Sequence, residues 1–212
     1  METKKKMLNK DFMLYLIGRM VSDTGTSIQM MIMPLYILDI GGTATTIGLF
    51  SFLSFLPTLI VYPFAGVIGD RINRKTIMVV TDFISSITII LLAILAYLDM
   101  VYLPILLVSQ VLVVLMNGMF EPATRGMLPK LVDKEEATRS NAIVSSMRTI
   151  SIMIGPIIGT TLYGKFGIEL VFIINGVSFL LSAISEMMIK YKHEEVKSEW
   201  GILEFLMIYY RV

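Results

Sequence analysis

Two ionisable residues, Arg19 and Asp23, lie inside an otherwise apolar stretch that begins at Phe12. At about 1.5 Å of rise per helical residue, Arg19 falls about 10 Å and Asp23 about 17 Å from that start, the latter near the middle of a hydrocarbon layer about 30 Å thick. Their spacing of four puts them on one helix face, where they can pair. An embedded carboxylate can take up and release a proton as its surroundings change, whereas an arginine stays charged. The two are therefore read either as a proton or substrate site or as a structural ion pair. Asn117, Gln110 and Gln29 are further polar residues in apolar runs, suited equally to lining a cavity and to interhelical hydrogen bonds. Asp82, about two turns into a third apolar segment, and Glu121, at the end of a fourth, can meet Arg71, Arg74 or Arg148. Asp82, Glu121 and Arg148 are thus candidates for ion pairs that can break and reform between states. For Asp82 the alternative is a solvated acid at a helix end. Gly155, Pro156 and Gly159 make a candidate helix bend: the proline frees a backbone carbonyl and the glycines admit a close neighbour. The alternative there is a kink with structural meaning alone.

Other chemistries are poorly supplied. The sequence has no cysteine and one histidine, His193, so thiolate chemistry, disulfides and a histidine-built metal site have no ligands. No metal or cofactor is expected. An intramembrane hydrolase would need a zinc motif, a Ser-His pair or opposed catalytic aspartates; none is seen, and the chain is read as not an enzyme. Basic residues number 18 and acidic residues 17, and the basic ones are not gathered on a helix face or interleaved with aromatics, which argues against a nucleic-acid partner.

The elements that must hold these residues are set by hydropathy. Apolar residues make up 55% of the chain and the mean hydropathy is +0.76, and they come in long runs, so the bilayer is the expected solvent. Six segments are long enough to cross it: 12–38, 45–68, 76–98, 102–123, 141–163 and 169–189. The expected fold class is an all-α membrane protein, a six-transmembrane-helix bundle. Short connections rich in Gly, Pro, Asp and charge separate the segments. If the N-terminus is cytoplasmic, every one of the 18 basic residues except Arg19 and Lys165 falls on that side. The positive-inside rule then puts both termini in the cytoplasm of a multi-pass plasma-membrane protein. The opening METKKKMLNK has the charge of a signal peptide, but the following apolar stretch is too long and lacks a small-residue cleavage site, so it is read as a retained span. Residues 1–11 are assigned to a cytoplasmic N-terminus, 12–189 to the bundle and 190–212 to the start of a truncated cytoplasmic central loop. Within that last stretch Trp200, Leu203, Phe205, Leu206 and Tyr209 give an amphipathic helix suited to the membrane interface. Pro63, Gly66 and Ser85 recur 93 residues later as Pro156, Gly159 and Ser178, either a weak internal repeat of helix triplets or a coincidence of common membrane residues.

The loop after the second segment reads GVIGDRINRKTIM from Gly66 to Met78. It resembles the loop between helices two and three of the major facilitator superfamily, with Asn73 where that family has a second glycine; asparagine tolerates a left-handed backbone, so the turn is expected to survive. The resemblance implies a conformational latch made by Gly66, Asp70, Arg71, Arg74 and Lys75, in which the aspartate meets the second half of the transporter and holds the outward-open state. A plain positive-inside loop is the alternative. The segment FEPATRGMLPKLVDKEEATRSNAI from Phe120 is similar to that of the macrolide-efflux and enterobactin-exporter branch. So is the first span, with Phe12, Gly18, Ser22, Gly25 and Pro34 in place but Thr26 where an aspartate is frequent, so that no role of that acid is carried over. Gly155-Pro-Ile-Ile-Gly159 resembles the core of the motif marking proton-coupled drug antiporters. These likenesses imply the N-terminal half of a 3+3 inverted-repeat fold, working as a proton-coupled exporter of amphipathic small molecules of drug, macrolide or siderophore class. Its implied partners are protons, a small-molecule substrate, the lipid bilayer, and either a missing C-terminal half or a second copy. A self-pairing half-transporter and a non-transporting structural or regulatory membrane protein remain the alternatives.

Overall fold

A computed structural model of the chain describes residues 9–191, with residues 62–71 as backbone alone. All regular structure among the described residues is helical: α1 (Lys10–Asp39), α2 (Ala44–Arg71), α3 (Arg74–Tyr97), α4 (Leu103–Leu131), a 3-10 turn at Lys134–Glu136 and a helical run Ala137–Met187. That run is two helices, because Gly167 breaks it at φ 79°, ψ −176°. A backbone with that φ is easily reached only without a Cβ. We call the two parts α5 (137–166) and α6 (168–187).

Four runs are long and apolar enough to cross a membrane: Ala44–Val61, Arg74–Tyr97, Leu103–Leu131 and Lys134–Met187. The last, at 54 residues, is long enough for two crossings of about 20 residues. α1 has 30 residues, and Arg19, Asp23 and Gln29 dilute its apolar character. Arg19 and Gln29 are buried in the bundle, so they are kept away from lipid. The result is a six-helix all-α membrane bundle.

Two boundaries depart from the sequence reading. The fourth segment is expected to end at 123, yet α4 runs on to Leu131 through Pro129, as it does through Pro122 within the expected span. Beyond the hydrocarbon core a proline's freed carbonyl can find water or a neighbouring chain, so the prolines do not end this helix. Its last carbonyl, on Leu131, accepts from Asn9 Nδ2 at 2.7 Å. Asn73, expected in a left-handed turn, has φ −56°; it is the N-cap of α3, its side chain accepting from Lys75 N at 3.0 Å. Asparagine suits this position because its side-chain oxygen satisfies an orphan helical N–H.

Packing follows small residues, as expected where lipid supplies no hydrophobic drive. A Cβ at Gly18 would lie 3.3 Å from Ser185 Cβ, and one at Gly25 would overlap Ser178 and Asn175, so α1 is pressed onto α6. On its other side α1 meets α5, where a Cβ at Gly155 would overlap Ser27 and one at Gly159 would lie 3.2 Å from Ile28 and Ile32. α4 rests on α2 through Gly118 and Val61, and on α3 through Gly126 and Arg74. α3 and α6 meet directly, with Ser86 Oγ donating to Gly176 O at 2.8 Å. Exchanging the first three helices for the last three maps these contacts onto one another: α1 on α5 and α6 becomes α4 on α2 and α3, and α3 on α6 maps to itself. This is the pattern of a 3+3 repeat.

The interior is layered. One apolar cluster holds Ile28, Ile32, Ile89, Leu92, Phe172 and Phe179; the other holds Phe12, Tyr15, Met78, Phe120, Met127 and Leu131. Between them lies a polar layer that includes Arg19, Asp82, Thr124, Ser182 and Glu186, all buried.

Candidate functional site

Arg19 is the hub of the polar layer. Its Nη2 donates to Glu121 Oε1 and its Nη1 to Thr124 Oγ1, both at 2.5 Å. Its guanidinium lies 5.7 Å from the centroid of the Phe120 ring, in cation–π range. All three partners sit on two turns of α4. Asp23 is also near, with Nε to Oδ2 at 3.4 Å, but neither atom makes a hydrogen bond. Charge-assisted hydrogen bonds are the strong ones, so Arg19 belongs chiefly to Glu121. Sequence spacing shows the local neighbour, Asp23, and cannot show the partner 102 residues away.

Glu121 gathers further cations. Arg148 Nη1 of α5 lies 3.0 Å from its Oε1, and Arg125 Nε lies 3.4 Å from its Oε2. The Glu121–Arg148 pair therefore joins α4 to α5, and Arg19 joins both to α1. On one side of this group is a cavity of about 240 Å³, lined by Asp23, Thr26, Gln29, Gln110, Asn117, Glu121, Arg148 and Asn175 among others. On the other is a cavity of about 260 Å³, lined by Tyr15, Arg19, Arg125, Asn141 and Ser145, and again by Glu121 and Arg148. One ion pair thus forms part of the wall of both. The first cavity continues between α1 and α5 into a third, where Asp23 and Arg148 meet Met30, Met31 and Pro156.

The sequence-derived candidates are distributed as follows. Arg19, Asp23, Glu121 and Arg148 are brought together, and Asn117 lines the adjoining cavity. Asp82 is not part of that group: it is buried against Ser182 and Glu186, between α3 and α6. It sits on the face of α3 turned to α6, which its position in the span does not disclose. Gly155 and Gly159 serve the crossing with α1, and the helix runs unbroken through Pro156, its one non-helical residue being Gly167. Of the latch residues, the side chains of Gly66, Asp70 and Arg71 lie outside the described residues, as do the tail 192–212 and His193. Arg74 packs on Gly126 of α4. Lys75 Nζ donates to Met187 O at 2.7 Å and Ile189 O at 2.8 Å, capping the C-terminal end of α6, where a cation suits the helix dipole.

The sequence reading missed a polar face on α6. Asn175, Ser182 and Glu186 are buried, with Ser178 beside them. Asn175 Nδ2 donates to Gln29 Oε1 of α1, Ser178 Oγ to Asn175 O at 2.7 Å, and Ser185 Oγ to Leu14 O at 2.8 Å. Their spacings of three and four in an otherwise apolar segment were the available signal. Glu186 lies near the end of the sixth apolar segment, 169–189.

Comparison with known proteins places the arrangement. The family model for the Major Facilitator Superfamily matches residues 15–205. The chain is 27% identical over 175 residues to macrolide efflux protein A of Streptococcus pyogenes, covering 82% of this chain and 43% of that one. It is 30% identical over 129 residues to the MFS-type transporter YfiS of Bacillus subtilis (61% and 30% covered). It is 29% identical over 142 residues to the putative bacilysin exporter BacE of Bacillus amyloliquefaciens (66% and 35% covered). The chain spans less than half the length of these curated relatives. With six helices packed as a 3+3 repeat around a polar, charge-lined cavity, and with a match across nearly its whole length, the chain belongs to the Major Facilitator Superfamily, and its similarity runs to that family's macrolide-efflux branch.

Proposed function

We propose that this chain forms one six-helix half of a proton-coupled exporter of amphipathic small molecules in the plasma membrane, with both termini in the cytoplasm. The observation that carries the reading is the Glu121–Arg148 pair, 3.0 Å apart, shared by the walls of two cavities on the inner side of one bundle. A pair so placed closes a path while intact and opens it when broken, as alternating access requires.

Asp23 is assigned the proton. It borders the cavity and lacks a hydrogen bond to its neighbour Arg19, so its carboxylate is the acid of the group left most free to exchange. Glu121, gripped by Arg19 and Arg148, orders the site instead. Gln29, Asn117 and Gln110 offer amide groups to a substrate, and Met30 an adaptable apolar contact. The loop residues Gly66, Asp70, Arg71, Arg74 and Lys75 are assigned the latch between states, and Gly155, Pro156 and Gly159 a flexure of α5. The efflux named in the relatives above supports the direction of transport.

The test is efflux of a panel of amphipathic antibiotics from a drug-sensitive strain expressing this bundle with a second six-helix half, before and after an ionophore collapses the proton gradient. Efflux that stops with the gradient and is lost in Asp23→Asn supports the reading. Gradient-independent export, or full export by Asp23→Asn, refutes the coupling.

A further inference from the structure

Behind the cavity, where α3 packs on α6, Asp82 and Glu186 are each 1% exposed and act on one another electrostatically. Ser182, one turn before Glu186, donates its hydroxyl to Glu186 Oε1 at 3.5 Å and also lies within reach of Asp82. A hydroxyl has one proton to give. Asp82 Oδ2 and Glu186 Oε2 are both buried without a hydrogen-bond partner.

The hydroxyl of Ser86 is committed to Gly176 O, and that of Thr81 to the carbonyls of Ile77 and Met78. The charged groups facing the pair come from α1: Arg19 and Asp23 act on Asp82, and Arg19 on Glu186. Arg19 gives its two terminal nitrogens to Glu121 and Thr124 and turns its Nε to Asp23 at 3.4 Å, and Asp23 is itself an acid. Two ionised carboxylates out of water with no cation of their own repel each other and leave their oxygens unsolvated. One proton resolves both difficulties, because a protonated carboxyl carries no charge and is itself a hydrogen-bond donor.

We propose that Asp82 and Glu186 together hold one proton, as a carboxyl–carboxylate pair completed by Ser182, and so form a proton site at the α3–α6 interface distinct from the Arg19–Glu121 network. Releasing that proton to water sets two like charges against each other across the interface and loosens it, so the contact between the two helix triplets responds to pH. This holds whether or not the transport reading does.

The test is infrared spectroscopy of the purified 212-residue chain in phosphatidylcholine nanodiscs, titrated in H2O and D2O. At neutral pH the native chain should show the carbonyl stretch of a protonated, water-excluded carboxyl. That band should disappear in Asp82→Asn and in Glu186→Gln, where the carboxamide supplies the missing donor and leaves the other acid ionised. Raising the pH should remove the band and lower the thermal midpoint of the native chain, while both variants, folded as well as the native chain, lose that pH dependence. Absence of the band from the native chain at neutral pH, its survival undiminished in both variants, or an equal fall of midpoint with pH in all three would overturn the proposal. The single variants mimic the protonated acid in shape and donor, so failure of both to fold would also count against it.

Discussion

Three arginines converge on Glu121, with Arg19 at 2.5 Å, Arg148 at 3.0 Å and Arg125 at 3.4 Å. They are not equivalent: the side chain of Arg19 is 6% exposed and that of Arg125 75%. An exposed pair contributes little, while breaking a buried pair strands the remaining charge at a cost of about 3–5 kcal/mol. Glu121→Gln should therefore destabilise the bundle by about 3 kcal/mol, the lower part of that range because Glu121 is only partly buried. Arg125→Gln should lie within about 0.5 kcal/mol of the native chain. Denaturant unfolding in detergent measures both, and similar effects would remove Glu121 from its central position. Asp23→Asn should cost less than Glu121→Gln, since Asp23 pairs with Arg19 at 3.4 Å without a hydrogen bond; a loss as large as that of Glu121→Gln would make Asp23 a structural acid. At this scale the sequence disclosed what is local. Arg19 and Asp23 are one helical turn apart, and spacing alone puts them on one face. That Arg19 is held by Glu121, and that Asp82 turns to Glu186, depends on how distant helices are rotated, which hydropathy does not encode.

Glycine positions decide how closely the helices cross. A Cβ at Gly25 would overlap Ser178 and Asn175 of α6, whereas one at Gly48, on α2, meets nothing within 4 Å. Gly25→Val should then cost about 1–3 kcal/mol through overpacking, and Gly48→Ala should be neutral or stabilise by about 0.5–1 kcal/mol, because glycine inside a helix is disfavoured. Thermal unfolding of the two variants distinguishes them, and tolerance of valine at Gly25 would show that α1 and α6 do not pack through it. Helix number and approximate limits could be read from apolar run length, since each run must match the bilayer. The ends could not. Pro129 reads as part of a loop yet lies within α4, and Asn73 reads as a left-handed turn yet caps α3. In both cases the local rule names a residue's preference, and a neighbouring helix decides whether it is used. Gly155 and Gly159 read as part of a helix bend, and the face of α1 they lie against, Ser27 to Ile32, is a tertiary fact that spacing does not carry.

The whole molecule has one end where α1 begins, α4 ends, α3 begins and α6 ends, tied together by Asn9 to Leu131 O at 2.7 Å and Lys75 to Met187 O at 2.7 Å. Tyr163 and Asp39 are joined at the opposite end. Among the described residues most of the basic ones lie toward the first end, the end that the proposed orientation turns to the cytoplasm. Because the chain has no cysteine, single cysteines report cleanly. Those at Thr43, Asp99 and Gly164 should react with an impermeant thiol reagent in intact cells, and those at Asn73 and Lys134 should not; labelling at Asn73 from outside would invert the assignment. The same bundle presents Asn117, Asp23 and Arg148 to a cavity that its own six helices do not close. Polar groups facing lipid are strongly disfavoured, and alternating access needs a second bundle to seal the cavity from each side in turn. Expressed as its 212 residues, the chain should insert with six spans yet export nothing, and export should appear when a second, C-terminal type of six-helix half is co-expressed. Efflux assays in a drug-sensitive strain, paired with crosslinking in the membrane, separate the cases. Export by the chain alone together with a crosslinked dimer would make it a self-pairing half-transporter, because two copies related by a two-fold axis can also close the cavity. No export with either partner, from a bundle shown to be inserted and folded, would leave a membrane protein that keeps the transporter fold without its activity.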